Sequence, residues 1–126
     1  MGYRKGARSE RELKELFSRK GYSVIRAAGS GVGADCPDIL VFKGPRQYAF
    51  ECKSWNAGSI AIDKKSYRDL ERWEENSGIT TLLAWRVERG GWLFIYLSEL
   101  EENPKSYSIT MKRAGRIGRN LSELLG

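Results

Sequence analysis

The sequence predicts a single α/β domain, residues 1–126, with a mixed central β-sheet flanked by helices in the order α-β-β-β-α-β-β. Three observations support this. Residues 9–21 and 64–76 carry apolar side chains at helical spacing. Short runs of β-formers, closed by glycine or proline, lie between and after them. Two later runs, "TTLLAWRV" and "WLFIYL", are apolar almost throughout, as strands covered on both faces are. A chain of 126 residues suits one domain with its own core.

The first helix, "SERELKELFSRKG", has Ser9 and Glu12 at capping-box spacing, a stripe of Leu13, Leu16 and Phe17, and Gly21 to end it. The β-forming "YSVIRAA" follows and leads into "GSGVGAD", whose closely spaced glycines suit an irregular loop. Ile39 to Phe42 and Tyr48 to Lys53 then read as a hairpin around the Gly-Pro step of "KGPRQ". Alternation puts Ala49, Glu51 and Lys53 on one face, with Tyr48, Phe50 and Cys52 on the other, facing the core.

"SWNAGSIAI" reads as a polar loop before the second helix, which Asp63 caps and Gly78 ends, with Tyr67, Leu70 and Trp73 on its buried side. "TTLLAWRV" and "WLFIYL", joined by "ERGG", form a second hairpin expected at the centre of the sheet. The tail is expected to add a short strand near residues 107–111 and a turn of helix, with Gly115 and Gly118 making its basic stretch flexible.

Composition narrows the chemistry. With 22 Lys and Arg against 16 Asp and Glu, the net charge of +6 favours an anionic partner such as nucleic acid, although it is equally the charge of a soluble basic surface. No apolar run is long enough to span a membrane and residues 1–12 lack a signal's apolar middle, so a soluble, cytoplasmic protein is expected. Cys36 and Cys52 are too few for a disulfide framework and form no C-x-x-C pair. The absence of histidine removes the commonest general base and most zinc sites. Catalysis here would need carboxylates, lysine and a hard metal.

Residues 36–53, "CPDILVFKGPRQYAFECK", hold such a set. Glu51 and Lys53 alone are what any solvated strand face carries. Asp38 changes this, because antiparallel pairing brings the entry of one strand beside the exit of the other. Carboxylates that close repel one another unless a cation lies between them. A rigid pair of oxygen ligands with open water positions suits Mg²⁺, and Mn²⁺ would be expected to substitute for it. Lys53 could orient or help deprotonate a water at that metal and offset charge on a phosphate. These are the parts needed to hydrolyse a phosphodiester.

The Pro37-Asp38 step followed by "ECK" at 51–53 resembles the PD-(D/E)xK nuclease superfamily. With "YRKGARSERELKELF" and the "GS" at 29–30, the first 55 or so residues resemble the archaeal Holliday-junction resolvases in content, order and spacing. The resemblance implies a restriction-endonuclease-like fold and a Mg²⁺-dependent homodimer that resolves four-way DNA junctions by symmetric paired nicks, through attack of a metal-activated water. It implies Asp38 and Glu51 as metal ligands, Lys53 as the water-orienting residue and Glu10 as a further acidic member of the metal-holding set. It also implies that Arg11 and Ser30 contact the scissile phosphate and that Cys52 lends its backbone carbonyl to the metal. Without it, Glu10 is a favourable acid near a helix start, Arg11 a solvated helix residue and Ser30 a loop filler. The glycine-rich insertion adds Asp35 as a competing ligand, but Asp38 is favoured because it opens a strand of fixed register.

Arg4, Lys5 and Arg8 precede the first helix, Lys64 and Lys65 begin the second, and Lys112, Arg113, Arg116 and Arg119 lie in the tail. Beside an acidic centre, these clusters read as a phosphate-tracking surface, and Trp55 as a residue that could stack on opened bases at a branch point. Tyr67 could do the same but fits a core position better. No base-reading motif is visible, so shape is the expected basis of recognition. Two other readings use the same residues: a general or restriction-type DNA nuclease, and a non-catalytic DNA-binding module.

Overall fold

The computed structural model describes residues 2–27, 36–54, 58–87 and 91–126, with side chains from residue 8 onward. The first helix, α1 (Gly2–Arg19), begins well before Ser9. Ser9 is buried inside the helix, so the expected capping box at Ser9 and Glu12 is not its start. Residues 3–8 hold no breaker except Gly6, which costs a helix only about 1 kcal/mol. Leu13 and Phe17 anchor the helix with no exposed surface, and Gly21, at φ 88°, turns the chain out of it.

The main sheet contains β1 (Ser23–Arg26), β2 (Ile39–Lys43), β3 (Arg46–Lys53), β5 (Thr80–Val87) and β6 (Gly91–Tyr96), in the order β1-β2-β3-β5-β6. Gly44, at φ 58°, turns the β2–β3 hairpin with Ile39 opposite Phe50 and Lys43 opposite Arg46. The β3–β5 pair is parallel and the others antiparallel, so the sheet is mixed, as expected.

A parallel pair needs a crossover, here made by β4 (Ser59–Asp63) and α2 (Lys64–Ser77). Asp63 caps α2 by accepting the Ser66 amide at 2.7 Å, and Gly78 closes it in the left-handed conformation. β4 corrects the expected loop over "SIAI": Ile60 and Ile62 are buried and pair with Ile109 and Tyr107 of β8 (Ser106–Thr110). With β7 (Glu101–Glu102) these strands form a second sheet, ordered β4-β8-β7.

The second hairpin is only half central. β5 is interior, whereas β6 is an outer strand of the sheet. Its apolar character comes from cover on both faces and from the tail along its edge. There the Phe94 amide donates to the Arg119 carbonyl at 2.8 Å, and the Tyr96 amide donates to Glu99 at 2.8 Å.

One core lies between the main sheet and α1 with α4 (Leu121–Leu125), joining Leu13 and Phe17 to Val41, Phe50, Leu82, Ala84, Phe94 and Leu124. The other lies beneath α2, the small sheet and α3 (Met111–Ile117), joining Ile60 and Leu70 to Leu83, Trp85, Ile95 and Ala114. Alternation along β5 sends even-numbered residues to the first core and odd-numbered ones to the second. The tail forms regular elements, β8 followed by α3 and α4, that pack on these cores. At Gly118, φ −69°, a Cβ would meet the Ala114 carbonyl oxygen at 2.5 Å and Ile95 Cδ1 at 2.9 Å, so this glycine serves close packing rather than flexibility.

Candidate active site

The register of the β2–β3 hairpin assembles the centre. Ile39 opposes Phe50, so Asp38 lies beside Glu51. The Asp38 amide donates to the Phe50 carbonyl at 2.9 Å, and Asp38 Oδ2 accepts the Cys52 amide at 2.9 Å. The Ala27 amide donates to the Asp38 carbonyl at 2.8 Å, tying the end of β1 to the same place. Asp38 is thus fixed through its backbone and its side chain.

The surroundings of Glu51 decide between a solvated face and a site. Glu51 is half-buried, next to fully buried Ala49 and Phe50, so both faces of this strand are covered and the simple exposed-pair explanation fails. Burial, then the nearby Asp38 charge, pushes the Glu51 carboxyl up to about 8. Burial also raises Asp38, against the Cys52 amide and the Lys53 charge, and the two neighbouring carboxyl groups shift one another. Burial followed by Asp38 raises Glu10, which donors on Arg26 partly offset. Near neutral pH this pair holds a proton that a bound cation would displace.

Glu10 is well inside α1, not in its first turn, so the helix dipole gives no account of it. Its Oε1 accepts from Arg26 Nε at 3.0 Å. Arg26 is the residue that sequence reasoning missed. Its visible signal was only the alternation of a short strand, and its partner lies in a helix earlier in the chain. Arg11 is exposed on α1 beside Glu10. Ser30, Asp35 and Trp55 lie outside the described residues.

A profile of the archaeal Holliday junction resolvase (Hjc) family matches residues 1–126. The chain belongs to that family. The crossover junction endodeoxyribonuclease Hjc of Methanocaldococcus jannaschii is 35% identical over 125 residues, spanning 98% of this chain and 89% of the relative. Its namesake from Archaeoglobus fulgidus is 28% identical over 123 residues, spanning 97% and 90%. The solved structure described as Archaeoglobus fulgidus Hjc, a Holliday junction resolvase, matches with a TM-score of 0.85 at 26% identity, covering 95% of this chain and 94% of that one. The family consists of junction-resolving nucleases of the metal-dependent kind, which bind branched DNA.

The donor set fits such a metal. Asp38, Glu51 and the Cys52 carbonyl offer hard oxygens on a hairpin, and one or two carboxylates are what Mg²⁺ usually takes while keeping several waters. Among the described residues, no three Cys, Asp or Glu side chains converge as a closed metal cage. Glu10 is drawn towards Arg26 rather than towards a shared point with the other carboxylates.

The basic residues fall into distinct groups. Arg8, Lys112 and Arg116 are exposed. Lys64 pairs with Glu102 at 2.7 Å and lies over the Tyr107 ring, and Lys65 pairs with Asp69 at 2.8 Å. Arg113 donates to the Glu99 carbonyl at 2.6 Å, and Arg119 makes a two-pronged pair with the Glu99 carboxylate, so both help to hold the tail. The side chains of Arg4 and Lys5 lie outside the described residues. Tyr67 stacks on Tyr107 at 3.6 Å and packs on the second core, in keeping with its core reading. Both cysteines are free thiols, and burial raises Cys52 far above its usual range. Among the described residues, no helix is long and apolar enough to cross a membrane.

Proposed function

We propose that this chain, as one nuclease domain over residues 1–126, resolves four-way DNA junctions by paired symmetric nicks, using Asp38 and Glu51 as the carboxylate pair of a Mg²⁺ centre. The observation that carries this is the strand register that sets the Asp38 and Glu51 carboxyls side by side at the hairpin exit, with Glu51 raised to about 8, in a chain of the resolvase family.

Asp38, Glu51 and the Cys52 carbonyl hold the cation, for which Mn²⁺ substitutes. When bound, Mg²⁺ polarises the phosphate and makes a nearby water more acidic. Lys53 orients the attacking water and offsets charge building on the phosphate. Glu10 adds a third carboxylate near the water, and Arg11 and Ser30 steady the scissile phosphate. The net charge of +6 supports backbone recognition. Exposed Arg8, Lys112 and Arg116, with Arg4, Lys5, Lys64, Lys65, Arg113 and Trp55, form the proposed DNA surface. Two copies of the chain supply two centres in matching orientation for a two-fold substrate, and the cytoplasm is where they meet chromosomal DNA.

The test uses a labelled immobile four-way junction and a matched linear duplex with Mg²⁺, beside EDTA and Asp38→Asn controls. Paired nicks in the junction alone, lost in both controls, are expected. Equal cutting of the linear duplex would replace this reading by a general nuclease. Tight binding without cutting would leave a DNA-binding module.

A further inference from the structure

We propose that Arg26 is the resident counter-cation of the acidic centre: it holds Glu10 while no metal is bound and competes with the divalent cation for the carboxylates. This rests on the reading that Asp38 and Glu51 hold the metal.

Geometry carries the inference. Arg26 ends β1 directly opposite Ile39, the residue after Asp38. It shares a face with Val24, which packs on the first core, and so points towards α1. On α1, Glu10 stands three and seven residues before Leu13 and Phe17, on the stripe that faces this sheet. Strand and helix therefore deliver the two side chains to each other, with Nε and Oε1 3.0 Å apart and side-chain exposures of 30% and 19%. A pair this sheltered is weakly screened by solvent.

The charge of Arg26 also reaches beyond its partner. It favours the ionised forms of Glu10, Asp38 and Cys52, so the whole centre feels it. With Glu10 engaged this way, the carboxylates do not close into a cage among the described residues. A divalent cation entering between Asp38 and Glu51 would repel the guanidinium and attract Glu10. Both effects favour opening the pair. Linkage makes the relation reciprocal, so whatever Arg26 contributes to Glu10 without metal weakens metal binding by the same factor.

Metal binding to the full chain, followed by titration calorimetry with Mg²⁺ in the absence of DNA, tests this without measuring cleavage. Removing a nearby, partly shielded unit charge should change affinity on the order of tenfold. Arg26→Gln should therefore bind Mg²⁺ about tenfold more tightly, whereas Arg26→Lys, which keeps the charge, should stay within about threefold of the parent. In a Glu10→Gln background the gain from Arg26→Gln should shrink markedly, because the shared partner is gone. Equal or weaker binding by Arg26→Gln would overturn the proposal and leave a purely structural ion pair.

The unmutated protein gives a second readout. Its Arg26 Nε–H resonance should shift as Mg²⁺ saturates, and a resonance that stays in place would also overturn the proposal. Asp38→Asn separates the two levels. If that variant binds Mg²⁺ like the parent, the metal reading itself fails, whereas lost binding there with unchanged Arg26→Gln affinity refutes the counter-cation alone.

Discussion

Glu51 and Glu99 are chemically identical, half-sheltered and close to arginine or lysine, yet their carboxyl groups are shifted in opposite directions. Glu99 accepts two hydrogen bonds from the Arg119 guanidinium, at 3.1 and 2.7 Å, and a third from the Tyr96 amide. These hold its pKa below the usual value despite its burial. Glu51 is buried against Asp38 and is raised to about 8. Where a carboxylate serves only the fold, its charge is fully matched within the chain. At the hairpin exit burial and the Asp38 charge outweigh that of Lys53, and a bound cation is what the proposed metal site would add there.

The sharpest way to test that contrast is to remove one charge at the hairpin exit. Asp38→Asn or Glu51→Gln should lower junction cleavage by about 10³-fold or more, since charge stabilisation at a metal centre is worth several kcal/mol. Junction affinity should stay within about threefold, because phosphate contacts elsewhere dominate it. A gel assay with matched binding controls reads both, and normal turnover in either variant would remove that residue from the centre. Lys53→Ala should slow cleavage by roughly 10²-fold, and full activity would return Glu51 and Lys53 to the role of an ordinary strand pair.

Stability should separate the two glutamates in opposite senses. Glu51 is raised in the folded state, so between about 4.5 and about 8 the folded protein binds a proton that the unfolded chain does not. The metal-free protein should therefore lose stability as pH rises through that window. Glu51→Gln should flatten this slope and melt higher than the parent in EDTA at pH 8.5, while being inactive. Glu99 is lowered, so its contribution is present above its unfolded value and lost as pH falls through the lower folded one. Glu99→Gln should lose that acid-side slope. Thermal melts across pH in EDTA decide both, and parallel profiles for the two variants would erase the distinction.

The smallest effect belongs to the tail. Arg119→Met should cost about 1–3 kcal/mol by leaving Glu99 without its main partner. Cleavage per folded molecule should hardly change, and a large loss of activity at full folding would tie the tail to the chemistry.

The hairpin of residues 39–53 was legible because its alternation, Gly-Pro turn and paired carboxylates all point to one register. β4 was not, since "SIAI" is brief and its partner β8 lies far along the chain; strand pairing at that separation leaves no local mark. Ser9 and Glu12 resembled a helix start because spacing cannot tell a cap from a buried serine within a longer helix. Gly118 resembled slack because sequence does not show the Ala114 carbonyl pressed against it. In the candidate centre, the closeness of Asp38 to Glu51 was readable from spacing along one hairpin. Arg26 was not, because its meaning depends on a helix packing against the far side of its strand.

An outer strand with open amides and carbonyls is a template on which further chains can add. On β6, Arg119 occupies the Phe94 amide and carbonyl, and Glu99 takes the Tyr96 amide. At the opposite border, β1 is only four residues long and ends in an arginine, although Ile25 there is 55% exposed. One border is sealed by the chain's own tail and the other is too short to recruit a neighbour readily. The Glu99–Arg119 pair, by fastening the tail along β6, keeps those backbone groups from pairing with another strand.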